Sequence, residues 1–183
     1  PGPLAAVVDI AFLPLVALSL WFPLKRSGNR NLFFVGLLLL FSAANLLFHL
    51  SHLGVMELPA TFSAQGALFL VTIIVAVMSG RVTPSFTKNA IPTARIRRVG
   101  GLDAAAIIAL AAALVAQVLS APARLLAPLA LVAAVSHAVR LASWDPLSTR
   151  RSPILWILHL SYAWIPVGML LLALSAMELG VPA

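Results

Sequence analysis

Asn45, His49 and His52 fall at positions i, i+4 and i+7, which places an amide and two imidazoles on one stripe of a helix. Imidazoles so placed can ligate iron or copper. Asp9 lies 13 residues before Phe22 and Asn45 lies 13 residues after Leu32. With each run helical, both then sit about 20 Å from one boundary and can face each other across a hairpin. Two readings follow. Asp9 orients or ligates beside His49, as carboxylates commonly hold ligating imidazoles; or Asp9 and Asn45 pair as interhelical glue while His52 meets water.

His137 and His159 form a second layer. His137 precedes Ser143 by six residues and His159 follows Pro153 by six, so both lie about 9 Å inside the same boundary on consecutive antiparallel runs. Facing imidazoles can coordinate haem iron or copper, with Arg140 on the His137 stripe neutralising an anionic cofactor. The other reading has both rings hydrogen-bonded to backbone or to Tyr162, with Arg140 snorkelling to the surface. His49 and His159 differ in depth by about 15 Å and cannot share one ion. Trp144, Trp156 and Trp164 lie on this second hairpin, and Trp144 fits an interfacial aromatic belt.

A third feature is the polar segment Gly80-Arg81-Val82-Thr83-Pro84-Ser85-Phe86-Thr87-Lys88-Asn89. Its hydroxyls beside Arg81 and Lys88 suit phosphate headgroups of lipids or the propionates of a haem. Pro84 and Pro92 are expected to interrupt helix, which makes Ser79 to Gly101 the longest connection in the chain.

The elements that must position these groups are apolar. Hydrophobic residues make up 62% of the 183 and charged residues 9%, and the mean hydropathy is +1.06; soluble domains are far more charged. Six runs are long enough to cross a hydrocarbon core: Leu4–Phe22, Leu32–Leu53, Phe62–Met78, Leu102–Leu119, Leu125–Ala142 and Ile154–Ala176. They are apolar on all sides and rich in Leu and Ala, unlike the alternating strands of membrane barrels. The expected fold is all-α, a polytopic transmembrane bundle of six helices.

The +7 net charge does not form a nucleic-acid patch. Lys25, Arg26 and Arg30 lie in the first gap, Arg81, Lys88, Arg95, Arg97 and Arg98 in the third, and Arg140, Arg150 and Arg151 in or beside the fifth. The second gap has no basic residue and the fourth only Arg124. This alternation matches the excess of Lys and Arg in cytoplasmic loops, so both termini are expected outside, with the basic gaps against anionic lipid headgroups.

The absence of cysteine excludes thiolate metal sites, cysteine-ligated iron–sulfur clusters and disulfides. Met56, Met78, Met169 and Met177 have no clustered spacing and read as packing residues. There is no Gly-rich phosphate loop, nucleophile elbow or His-Glu-x-x-His helix. The chain opens Pro1-Gly2-Pro3 without a visible leader and reads as one transmembrane segment of a larger protein.

Four segments together resemble the NnrS family, bacterial inner-membrane proteins linked to nitric oxide metabolism. They are Val8-Asp9-Ile10-Ala11-Phe12-Leu13-Pro14, Asn45-Leu46-Leu47-Phe48-His49-Leu50, Gly80 through Asn89, and Trp156-Ile157-Leu158-His159-Leu160-Ser161-Tyr162-Ala163-Trp164. Arg140-Leu141-Ala142-Ser143-Trp144 resembles a further pattern of that family, Arg-Leu-x-x-Trp. The resemblance implies haem and copper as cofactors, His49 and His159 as metal ligands, and Arg81, Asn89 and Arg140 as cofactor-binding positions, with nitric oxide as a small-molecule partner. It also implies a complete protein of about twelve helices. The competing class is a cofactor-free transporter or channel module in which Asp9, Asn45, His49 and Gln117 line an outward-facing polar cavity.

Overall fold

The computed structural model describes residues 3–28, 32–57, 60–97 and 99–177. Six α-helices make up the described chain: α1 Pro3–Arg26, α2 Phe33–His52, α3 Ala60–Ala90, α4 Leu102–Val118, α5 Ala123–Ala142 and α6 Pro153–Ala176. A single 3-10 turn, Pro146–Thr149, joins the last two. No strand occurs among the described residues. Five helices are long and apolar enough to cross a membrane; α4, at 17 residues, is shorter. Arg30 and Arg98 of the basic gaps lie outside the described residues.

The chain divides into two compact units, residues 1–71 and 72–183. In the first, α1 packs against α2. Few side chains are sequestered there; among the described residues, Ala6 and Ala17 on α1 and Val35, Leu37, Ser42 and His49 on α2 are the buried ones.

In the second unit α4 packs on α5 and α5 on α6. The buried positions of α5, Leu126, Ala127, Ala130, Ala133, Ala134, His137 and Arg140, recur every three or four residues. Those of α6, Leu155, His159, Tyr162, Ile165, Pro166, Met169 and Ala173, recur in the same steps of three and four. That is the seam of helices crossing at a shallow angle. Alanine along α4 and α5 lets backbones approach closely, which is how helices associate where lipid removes the hydrophobic drive. Large apolar side chains such as Val132, Val135, Leu171 and Trp164 point outward, as they must where the solvent is acyl chain.

Two expectations are corrected. The polar segment does not open the third connection at Ser79, because α3 runs through Pro84 to Ala90. Pro84 removes one backbone donor, yet the helix continues past it to Ala90, and Thr87 Oγ1 donates to the Thr83 carbonyl at 2.8 Å one turn further on. Trp144 is not a belt residue either; it is 4% exposed. It follows the last turn of α5 and folds inward onto Tyr162, ring centroids 4.5 Å apart.

Past α3 the chain is fastened rather than loose. Lys88 Nζ donates to the carbonyls of Pro92 at 2.8 Å and Ala94 at 3.2 Å. Arg97 N–H then donates to the Ser143 carbonyl at 2.9 Å, and Arg95 N–H to Asp145 Oδ2 at 2.8 Å. Asp145 sits in the left-handed region, φ 55°, a conformation Asp tolerates better than most residues. Gly101, φ 78°, makes the corresponding turn into α4.

Candidate cofactor sites and a buried arginine centre

In the first unit Asp9 Oδ2 accepts from Asn45 Nδ2 at 3.0 Å and from His49 Nε2 at 2.8 Å. A carboxylate only accepts, so the His49 proton is on Nε2. Asp9 therefore both ties α1 to α2 and fixes the tautomer of a buried imidazole, which combines the two readings of the sequence. His52 is exposed and stacks on Phe48, centroids 6.3 Å apart. Asp9→Ala is expected to release the His49 tautomer, read as a shift of the imidazole ¹⁵N resonances toward a mixed population; unchanged resonances would show that Asp9 does not set the proton.

In the second unit the centre is Arg140, 4% exposed. Its Nε donates to Asp103 Oδ1 at 2.6 Å, and its Nη1 to the Ala76 carbonyl at 2.9 Å and to Tyr162 Oη at 3.0 Å. The guanidinium also lies 5.3 Å from the Trp144 ring centroid, a cation–π distance. Arg140 thus binds the middle of α3, the start of α4 and the middle of α6 from its place on α5. It does not snorkel.

Gly80 makes this possible. A Cβ there would stand 1.8 Å from Arg140 Nη2, so the guanidinium occupies the space a side chain would take. The first residue of the polar segment is a seat for an arginine sixty positions later.

His137 is fully engaged. Nε2–H donates to the Ala106 carbonyl at 3.0 Å, and Nδ1 accepts from the Tyr162 hydroxyl at 2.5 Å. Both nitrogens are used, as the hydrogen-bonding reading of this residue expects. Tyr162 in turn accepts from Arg140, so Arg140, Tyr162, His137 and Ala106 form one directional chain across three helices.

His159, one turn before Tyr162 on α6, differs. Its Nδ1–H donates to the Leu155 carbonyl at 3.0 Å. Its Nε2 is buried and has no partner among the described residues. The ring packs against the Trp144 edge, centroids 6.5 Å apart, and borders a cavity of about 320 Å³ with Arg150, Trp156 and Leu160. An imidazole fixed through Nδ1, with an unpartnered lone pair on a buried Nε2, would suit holding a haem iron. A polar atom left bare in a core is otherwise costly.

The remaining sequence candidates lie on the last turns of α3. Arg81 and Asn89 are exposed, while Thr83 and Thr87 are buried inward. Among the described residues no three His, Cys, Asp or Glu side chains come together. Asp9 and His49 are the only pair of such side chains in contact among the described residues of the first unit.

Asp103 and the role of Gly80 escaped the sequence reading. Asp103 offered one signal, an acid in the first turn of an apolar helix; Gly80 offered none.

Apolar helices of spanning length that hold a buried, paired arginine and hydrogen-bonded histidines define a multi-pass membrane protein. A family model described as NnrS protein matches residues 1–183. The chain belongs to the NnrS family. No curated protein and no solved structure matches it.

Proposed function

We propose that this chain binds haem and copper in the bacterial inner membrane and acts in the response to nitric oxide, with His159 as a haem ligand and His49 as a copper ligand. The observation that carries the reading is the unpartnered Nε2 of His159, held in place through Nδ1. When bound, haem supplies an iron able to take a small diatomic ligand. What the chain's own residues do is position and shield. The Leu155 carbonyl fixes the His159 ring, and Trp144 packs against it. Arg140 acts at one remove, holding Trp144 and Tyr162 on the same wall, while Arg81 and Asn89 provide polar contacts at the exposed end of α3. For copper, His49 offers Nδ1 because Asp9 occupies its Nε2–H; other ligands would complete that centre.

The same proposal has α4 crossing with the other five helices, both termini on the periplasmic side, and the segment forming part of a larger bundle. The basic residues support it: Lys25 and Arg26 end α1, Lys88 ends α3, and Arg150 and Arg151 precede α6.

Absorption spectra and metal analysis of the full-length protein test the assignment. The wild type is expected to carry a haem Soret band and copper, and His159→Ala to lose the Soret band while keeping the copper. An unchanged Soret band in that variant would remove His159 as a ligand. A colourless, metal-free wild type that moves a solute across liposomes would establish the transporter class instead.

A further inference from the structure

The cavity beside His159 continues into a second, of about 460 Å³, through the shared residues Leu141, Pro146 and Ala163. The second is lined only by apolar side chains and runs between α5 and α6 as far as Ala134 and Leu170. Small residues create it: Ala134, Ala138 and Ala142 on one helix face Ala163 on the other. From Ala134 to Ala142 the slot follows about 12 Å of helix, a shape suited to an extended chain rather than a compact solute.

The other end of this groove is basic. Arg150 borders it and Arg151 follows. Among the described residues neither forms an ion pair with a carboxylate, and Asp145 Oδ2 takes the Arg95 amide. We propose that the α5–α6 groove binds one anionic phospholipid, its phosphodiester on Arg150 and an acyl chain along the alanine slot.

The charge decides the occupant. A tail gains little by leaving bulk lipid for an equally apolar groove, so selectivity must come from the head. A guanidinium beside an interhelical groove supplies it through charge-assisted hydrogen bonds to phosphate. One arginine corresponds to a preference of about fivefold over the neutralised site.

Spin-labelled phosphatidylglycerol and phosphatidylcholine, measured by electron paramagnetic resonance with the full-length protein in bilayers, test it. The wild type is expected to immobilise phosphatidylglycerol preferentially. Arg150→Gln should lower that association about fivefold and leave phosphatidylcholine unchanged. Ala138→Phe, at an exposed position, should exclude both lipids from the slot by filling it. Equal phosphatidylglycerol association in wild type and Arg150→Gln would overturn the proposal. So would displacement by free glycerol phosphate, which would make this a phosphate site, or a label at Ala138 that reports protein rather than lipid contact, which would make a helix the occupant.

Discussion

Gly80→Ala is expected to destabilise the protein by about 2–3 kcal/mol, because displacing the guanidinium disrupts a half-buried ion pair together with its hydrogen bonds to Ala76 and Tyr162. Alanine is ordinarily the better residue inside a helix, by about 0.5–1 kcal/mol, so intrinsic propensity predicts the opposite sign. The difference is local. The new Cβ would stand 1.8 Å from Arg140 Nη2. A clash with the tip of a long side chain is cheap when the tip can move, but this guanidinium is held by Asp103, the Ala76 carbonyl and Tyr162. Moving it leaves a cation within the bundle without its partners. Gly168→Ala is the control, because nothing lies within 4 Å of a Cβ at that helical position. It should be neutral or slightly stabilising. Thermal unfolding in one detergent compares the two directly, and equal midpoints would mean that Gly80 seats nothing.

The helices were legible because their physics is local. Twenty apolar residues without a charge can hardly be anything else in lipid, and Ile154–Ala176 differs from the observed α6 by one residue. The end of α3 was not legible. Proline and hydroxyl residues after Met78 look like the start of a loop, yet Thr83 and Thr87 face inward and Lys88 caps the turn beyond Ala90. Local composition reports exposure poorly where a polar face of a helix is turned inward.

The histidines divide the same way. Equal depth made His137 and His159 equivalent in sequence, and depth is all that a count of residues yields. Rotation about the helix axis separates them: His137 meets Tyr162 and the Ala106 carbonyl, whereas His159 Nε2 meets no partner. The pairing of Asp9 with Asn45 and His49 was legible, since depth and stripe together fix both coordinates of a side chain on a helix. Arg140 and Trp144, four apart, could also have been read as a cation–π pair, but not their partners on α3 and α4.

Asp103→Ala is expected to cost about 2 kcal/mol, and Arg140→Met in the same chain is expected to recover most of it. The Asp103 side chain is 74% exposed while that of Arg140 is 4% exposed, so the pair lies between a surface bridge and a buried one, and the figure is set accordingly. The asymmetry of burial decides which single change does more harm. Removing Asp103 strands a cation inside the bundle, where only Tyr162 and the Ala76 carbonyl remain to hold it. Removing Arg140 leaves a carboxylate already in contact with the surroundings, and methionine fills the vacated volume against Trp144 with a favourable sulfur–aromatic contact. The double variant should therefore resemble Arg140→Met alone rather than the sum of two losses. Additivity to within about 0.5 kcal/mol would show that the two side chains do not act as a pair. If the double variant is instead as stable as the wild type but its Soret band shifts, Arg140 serves the wall around His159 through Trp144 and Tyr162 rather than the stability of the bundle.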